Sequence, residues 1–385
     1  MNTLPVPPHV LRSFNLPIQS SNTAQLLPSG QGNSILLPNS NVVLKHIQDA
    51  TEAEHAATVQ HQLYNLQKRR ALQGEMRREY QVAEPLAITT TTAAAAAAAP
   101  SASPTINESE NDGGAGTQRF VADDTWTAAR VIPGTPDPGP GRWEEILRAS
   151  RALHRDLRAL YGGEGRLGEL APFLPFLRQR QDRWAKGDRI AWEMEEAGEN
   201  ADVDIDNDIG IGIDARANSA GESGIVEEAY RDIFRQLVSL REPIEMGVSQ
   251  LVHGDLAGNV LFTNHARKHA VGDNNERGDD QEEEKQEQEE QEEHVPSIID
   301  FSLYFRPVEF AEAIIVADGL LWYDAGDELV RLVGVDKYRM QMLVRALIFR
   351  LVASSEGERE RGVVDEAERN RYQRAVGIVR ELIGA

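Results

Sequence analysis

Two stretches of this chain hold residue types from which a reactive centre can be built. The first is Leu251-Val252-His253-Gly254-Asp255-Leu256-Ala257-Gly258-Asn259-Val260-Leu261-Phe262. An apolar, strand-like pair runs into a polar loop, and a second apolar strand follows. The loop carries a carboxylate, Asp255, and a carboxamide, Asn259, four residues apart. The second stretch is Val295-Pro296-Ser297-Ile298-Ile299-Asp300-Phe301-Ser302, where an apolar strand delivers an aspartate at its end. Carboxylates accept protons, and together with carboxamides they offer the hard oxygens that a divalent cation takes. Strand ends and the loops beside them commonly hold such groups. His253 reads as a loop-shaping residue that bonds backbone, and His154, on an apolar helix face, reads as packing.

The elements that must position these groups follow from pattern. Leu26-Leu27-Pro28 leads into Ser29-Gly30-Gln31-Gly32-Asn33-Ser34 and then Ile35-Leu36-Leu37. Pro38-Asn39-Ser40-Asn41 is a turn signal, and Val42-Val43-Leu44-Lys45 is short and β-branched, so a hairpin is expected. A helix begins near Asp49 and holds Glu52 and Glu54. Arg119-Phe120-Val121 and Trp126–Val131 read as two more strands, and Pro133–Gly141 reads as a linker. From Trp143 the apolar period becomes helical, through Ile146, Leu147, Leu153 and Leu157. Further helices are expected near Ala229–Leu240, Phe310–Leu321 and Tyr338–Val352. Strands first and mainly helices afterwards predict an α+β fold, with a small sheet lobe over 1–132 and a larger helical lobe over 133–385.

Charge is unevenly spread. The chain has 385 residues, no cysteine and a formal net charge of −22. Without a thiol there is no disulfide, no cysteine-ligated metal and no cysteine nucleophile. Such acidity argues against a nucleic-acid partner, whose phosphates need Lys and Arg. No apolar run reaches membrane-spanning length, and the N-terminus lacks a basic-then-apolar leader, so a cytoplasmic protein with no membrane partner is expected. Residues 193–228 hold 12 acidic residues against one basic, and residues 265–294 hold 12 against four. These two blocks therefore carry −19 of the −22, and the rest of the chain is close to neutral. Both blocks, and the Thr/Ala/Ser-rich stretch 85–118, read as disordered insertions.

The His253-Gly254-Asp255 loop followed by Ile299-Asp300-Phe301 resembles the Asp-centred loop and metal-binding aspartate of protein kinases. More specifically, it resembles the small-molecule branch, the aminoglycoside phosphotransferase-like family. Ser29–Ser34, Val42–Lys45, Trp143–His154, Asp182–Trp192, Leu251–Phe262, Ile298–Pro307 and Val344–Val352 look like one subfamily of it, best known in actinobacteria. The resemblance implies a protein-kinase-like bilobal fold and ATP–Mg²⁺-dependent transfer of the γ-phosphate to a hydroxyl of a small molecule. It implies that Asp255 accepts the proton of the attacking hydroxyl, and that Asp300 and Asn259 hold Mg²⁺. Lys45 would touch the α- and β-phosphates, held by Glu54 or, alternatively, Glu52. Gly30, Gln31 and Gly32 would bring backbone N–H groups to the triphosphate. The transferred group passes through a loose, highly charged transition state, which is why positioning and charge neutralisation dominate.

Three positions depart from the protein-kinase pattern. Asn259 follows Asp255 by four residues where protein kinases have five, Ser302 stands in the place of a glycine, and the Gly-rich loop has no third glycine. These departures leave a second reading open: a catalytically inactive, pseudokinase-like nucleotide- or partner-binding module. Asp255 and Asp300 lie 45 residues apart, and removing the acidic block 265–294 leaves 15, enough for one loop and one hairpin. Arg306, Pro307 and Asp318 fall where a substrate pocket or a structural ion pair would both fit, and the five Trp read as core.

Overall fold

A computed structural model describes residues 6–27, 34–74, 78–89, 118–136, 141–162, 173–199, 225–245, 247–262 and 295–384. The Gly30–Gly32 stretch, nearly all of the Thr/Ala-rich insertion and most of both acidic blocks lie outside them. The chain is mixed α+β, mainly helical, with small antiparallel sheets. It divides into two compact units: Met1–Met76 with Gln81–Pro133, and Arg77–Tyr80 with Gly134–Ala385.

The first unit is a four-stranded antiparallel sheet, β1 (Gln25–Leu26), β2 (Ser34–Leu37), β3 (Val42–His46) and β4 (Trp126–Arg130), in that order. The β2–β3 turn is Pro38–Ser40 followed by Asn41, which takes the left-handed backbone (φ 52°) that asparagine tolerates. Alternation puts Ile35, Leu37, Val42, Leu44, Trp126 and Ala128 on one buried face, where they meet Val10 and Leu11 of α1 (Pro8–Ser13). Helix α2 (Ala50–Leu72) starts where expected. Asp49 caps it by accepting the backbone N–H groups of Thr51 and Glu52, at 2.8 and 2.9 Å. Two expectations are corrected here. Arg119–Val121 is not a strand; the N–H groups of Phe120 and Val121 donate to the Glu54 carboxylate instead. The stretch 85–89 belongs to the fold, because Leu86 donates to Ala128 and Ile88 to Arg119, and both pack on the core.

The second unit is built on helices α3 (Trp143–Tyr161), α4 (Phe173–Gln179), α5 (Arg183–Glu199), α6 (Arg231–Leu240), α7 (Val308–Trp322), α8 (Asp327–Val333), α9 (Lys337–Arg361) and α10 (Glu366–Gly384). Helices α7 and α9 are buried on nearly every side over Phe310–Leu321 and Met340–Ala353, so they form the centre, and α9 packs on both α5 and α7. Helix α5 runs on to Glu199, into the first acidic block, because the Glu, Met and Ala residues of 193–199 favour helix. Two short ribbons insert among the helices: β5 (Ser249–His253) pairs antiparallel with β8 (Leu303–Pro307), and β6 (Val260–Leu261) with β7 (Ser297–Ile298). Among the described residues no helix is long and apolar enough to cross a membrane.

Candidate functional site

The two ribbons bring the two aspartates to one place. Register pairs His253 with Leu303, and Gly254 donates to Ser302 at 2.9 Å, so the Asp255 loop leaves β5 beside the start of β8. Register also pairs Val260 with Ile298, and Ile299 donates to the carbonyl of Asn259 at 3.0 Å. Asp300 follows at once, in a left-handed conformation with φ 52°. The residue 263–294 connection therefore joins neighbouring strands. Gly254 is required by space: a Cβ there would sit 2.4 Å from the ring of buried Tyr304.

His253 is the staple between these segments. Its Nδ1 accepts the Asp255 N–H at 3.1 Å, so Nε2 carries the proton and faces the Ile299 carbonyl at 3.4 Å. Its own backbone N–H donates to Nε2 of His154 at 3.1 Å, and Ser150 faces the other nitrogen of that ring. Burial holds both imidazoles below their ordinary pKa, His154 at about 3, so both are neutral. His253 shapes the loop, as its sequence context indicated, and His154 does more than fill space.

Asp255 is 45% exposed and held at both oxygens. Asn259 donates Nδ2 to Oδ2 at 2.9 Å and to the Asp255 carbonyl at 2.7 Å. Both partners are acceptors, so the amide nitrogen faces Asp255 and Oδ1 turns away from it. Arg350 of α9 donates Nη2 to the other carboxylate oxygen, Oδ1, at 2.8 Å. Arg350 is itself forked onto Asp318 of α7, Nε to Oδ1 at 2.7 Å and Nη2 to Oδ2 at 2.6 Å. Burial pushes Asp318 up to about 7 against the opposing pull of Arg350. Burial works against the Arg350 charge, and Asp318 and Asp255 outweigh it, so the guanidinium stays charged. Asp318 is thus an ion-pair residue, and Arg306 likewise forks onto Asp188 at 2.7 and 3.0 Å.

Arg350 is not singled out by sequence, since an arginine in an apolar helix 95 residues from Asp255 carries no local signal. Trp322 departs from the core placement expected for the five Trp. Trp126, Trp143 and Trp192 are buried, but Trp322 is 39% exposed, with its ring 5.6 Å from the Arg350 guanidinium carbon.

In the first unit, Lys45 sits on β3 opposite Ser34 of β2 and Thr127 of β4. Ser34 is the first described residue after Gly30, Gln31 and Gly32, and its carbonyl accepts the Leu27 N–H at 2.8 Å, so Leu27 and Ser34 are paired on either side of residues 28–33. Glu54, on α2, also binds backbone. Its two oxygens accept the backbone N–H groups of Phe120 and Val121, at 2.8 and 3.0 Å, tying α2 to that segment.

The donor chemistry bears on magnesium. Among the described residues no three His, Asp or Glu side chains gather to hold a metal. Asn259 Oδ1 and the Asp300 carboxylate offer hard oxygens but make an incomplete set, which suits an ion that keeps waters and shares phosphate oxygens. No family model, no curated protein and no solved structure matches this chain.

Proposed function

We propose that the chain is an ATP–Mg²⁺-dependent phosphotransferase with a kinase-like bilobal fold, acting on a hydroxyl of a small molecule. The observation that carries the reading is the His253-stapled cluster: Asp255 half-exposed at a strand end, Asn259 bonded to it, and Asp300 drawn alongside through Ile299. Bound MgATP would supply the phosphoryl group and the countercharge for its oxygens. Asp255 would orient the acceptor hydroxyl and take its proton, on the carboxylate face that its two partners leave open. In a loose transition state that proton leaves late, so orientation counts for more than basicity. Asn259 Oδ1 and Asp300 would hold the metal, and Lys45 is assigned to the phosphates by resemblance.

The competing reading, a non-catalytic binding module, draws on the same Asn259 contact, since an amide fixed onto Asp255 through Nδ2 is held back from turning its Oδ1 to a metal. Turnover and melting curves of the full chain with ATP, with and without Mg²⁺, separate the two. The enzyme reading expects a Mg²⁺-dependent ATP stabilisation that Asp300→Ala removes. It also expects γ-phosphate turnover that Asp255→Asn lowers by about 10²- to 10⁴-fold with the fold intact. ATP binding without Mg²⁺ dependence and without turnover points to the module, whereas turnover indifferent to Asp255→Asn removes Asp255 from the catalytic role.

A further inference from the structure

We propose that Arg350, braced by Asp318, is a positioning residue for Asp255: the pair fixes the direction of the carboxylate from the helical core. The inference rests on the phosphotransferase reading of Asp255. A carboxylate on a loop samples several orientations unless something outside the loop holds it. Asn259 lies in the same loop, four residues on, so its contact sets the carboxylate relative to the loop and not to the helical core. Arg350 can set it relative to that core. It is 2% exposed, it stands on a central helix, and its Nη2 is shared between Asp318 Oδ2 at 2.6 Å and Asp255 Oδ1 at 2.8 Å.

The guanidinium is planar, so forking Nε and Nη2 onto Asp318 sets the direction of the remaining Nη2 hydrogen, the one that meets Asp255. Trp184 and Trp322 limit its movement, with rings 5.2 and 5.6 Å from the guanidinium carbon. A lysine offers a point charge and no such fork. Helix-to-helix stability alone gives little reason for the arrangement. A buried ion pair of this kind is commonly no better for stability than apolar side chains of similar volume. A bracket that reaches a half-exposed carboxylate at a strand end has a use that two leucines would not.

The test uses the full chain, MgATP and γ-phosphate turnover. Arg350→Met alone strands a buried Asp318 and can fail to fold, so the informative variant is the double Asp318→Asn/Arg350→Met, which is uncharged and similar in volume. We expect its kcat to fall about 100-fold, the cost of a roughly 1 Å misplacement, while its KM for ATP stays within about twofold. Arg350→Lys is expected to restore melting behaviour without restoring kcat. Full kcat in the double variant, or full recovery by lysine, overturns the positioning role while leaving the phosphotransferase reading in place. A wild-type chain without MgATP turnover removes both.

Discussion

At the scale of single residues, the site is organised by groups that do not react. His253 uses both ring nitrogens on backbone, and His154 receives the His253 N–H, so each must stay neutral to keep its acceptor nitrogen. That requirement makes stability depend on pH. Unfolded histidine takes a proton near pH 6.5, whereas buried His154 resists it down to about 3. Above pH 6.5 both states are neutral and nothing is lost. Below it the unfolded state binds a proton the native state refuses, so stability falls as pH drops towards 3. At pH 5 the cost from His154 alone is about 2 kcal/mol. In His154→Gln, where a carboxamide oxygen still accepts the His253 N–H, that component disappears. Urea unfolding at pH 7.5 and pH 5 should show the wild type losing about 2 kcal/mol more than the variant across that interval. Equal losses would mean that His154 is not the group refusing the proton.

At the scale of elements, what could be read from the sequence was whatever local chemistry decides. The β2–β3 hairpin has its turn residues at Pro38–Asn41, α2 has its cap at Asp49, and the β6–β7 pairing follows from two apolar runs that flank a charged block. The Asp49 cap gives a direct check. Asp49→Ala frees the N–H groups of Thr51 and Glu52 and should cost about 1 kcal/mol, read from denaturant midpoints at constant slope. No measurable change would mean that the first turn of α2 is held by packing instead. What was not legible depended on long-range partners. Glu54 reads from sequence only as a carboxylate on the helix after Lys45. Its contacts with Phe120 and Val121 span 66 and 67 residues and leave no mark on local pattern. Leu86 and Ile88 look like the edge of a low-complexity insertion until backbone groups at Ala128 and Arg119 claim them. The Asp255–Asn259 contact lies within one loop and could be anticipated. Asp318 admits a pocket or an ion pair from sequence alone, and Arg350, a charged residue on an apolar helix with no local signal, decides for the ion pair.

At the scale of the whole molecule, the net charge of −22 concentrates in two blocks, and one of them falls between Val260-Leu261 and Ser297-Ile298. Those strands are adjacent and antiparallel, so the chain length between them is free to vary without moving either end. Deleting residues 265–294 leaves Phe262, Thr263, Asn264, Val295 and Pro296 as a five-residue link, within the ordinary range for hairpin connections. Shortening a 35-residue connection to five lowers its closure entropy cost, which favours the deleted form by about 2 kcal/mol for a flexible chain. Removing the block also takes the formal charge from −22 to −14, since it holds 12 acidic and four basic residues. Less self-repulsion should add to the gain at low ionic strength and fade as salt screens it. The expected outcome is a chain at least as stable as the wild type, with its advantage largest in dilute buffer and, on the proposed phosphotransferase reading, with its MgATP turnover kept. A deleted chain that melts like the parent but loses turnover would assign the acidic block a part in catalysis. A deleted chain that fails to fold would show that the Val260–Ile298 pairing depends on residues beyond the strands themselves.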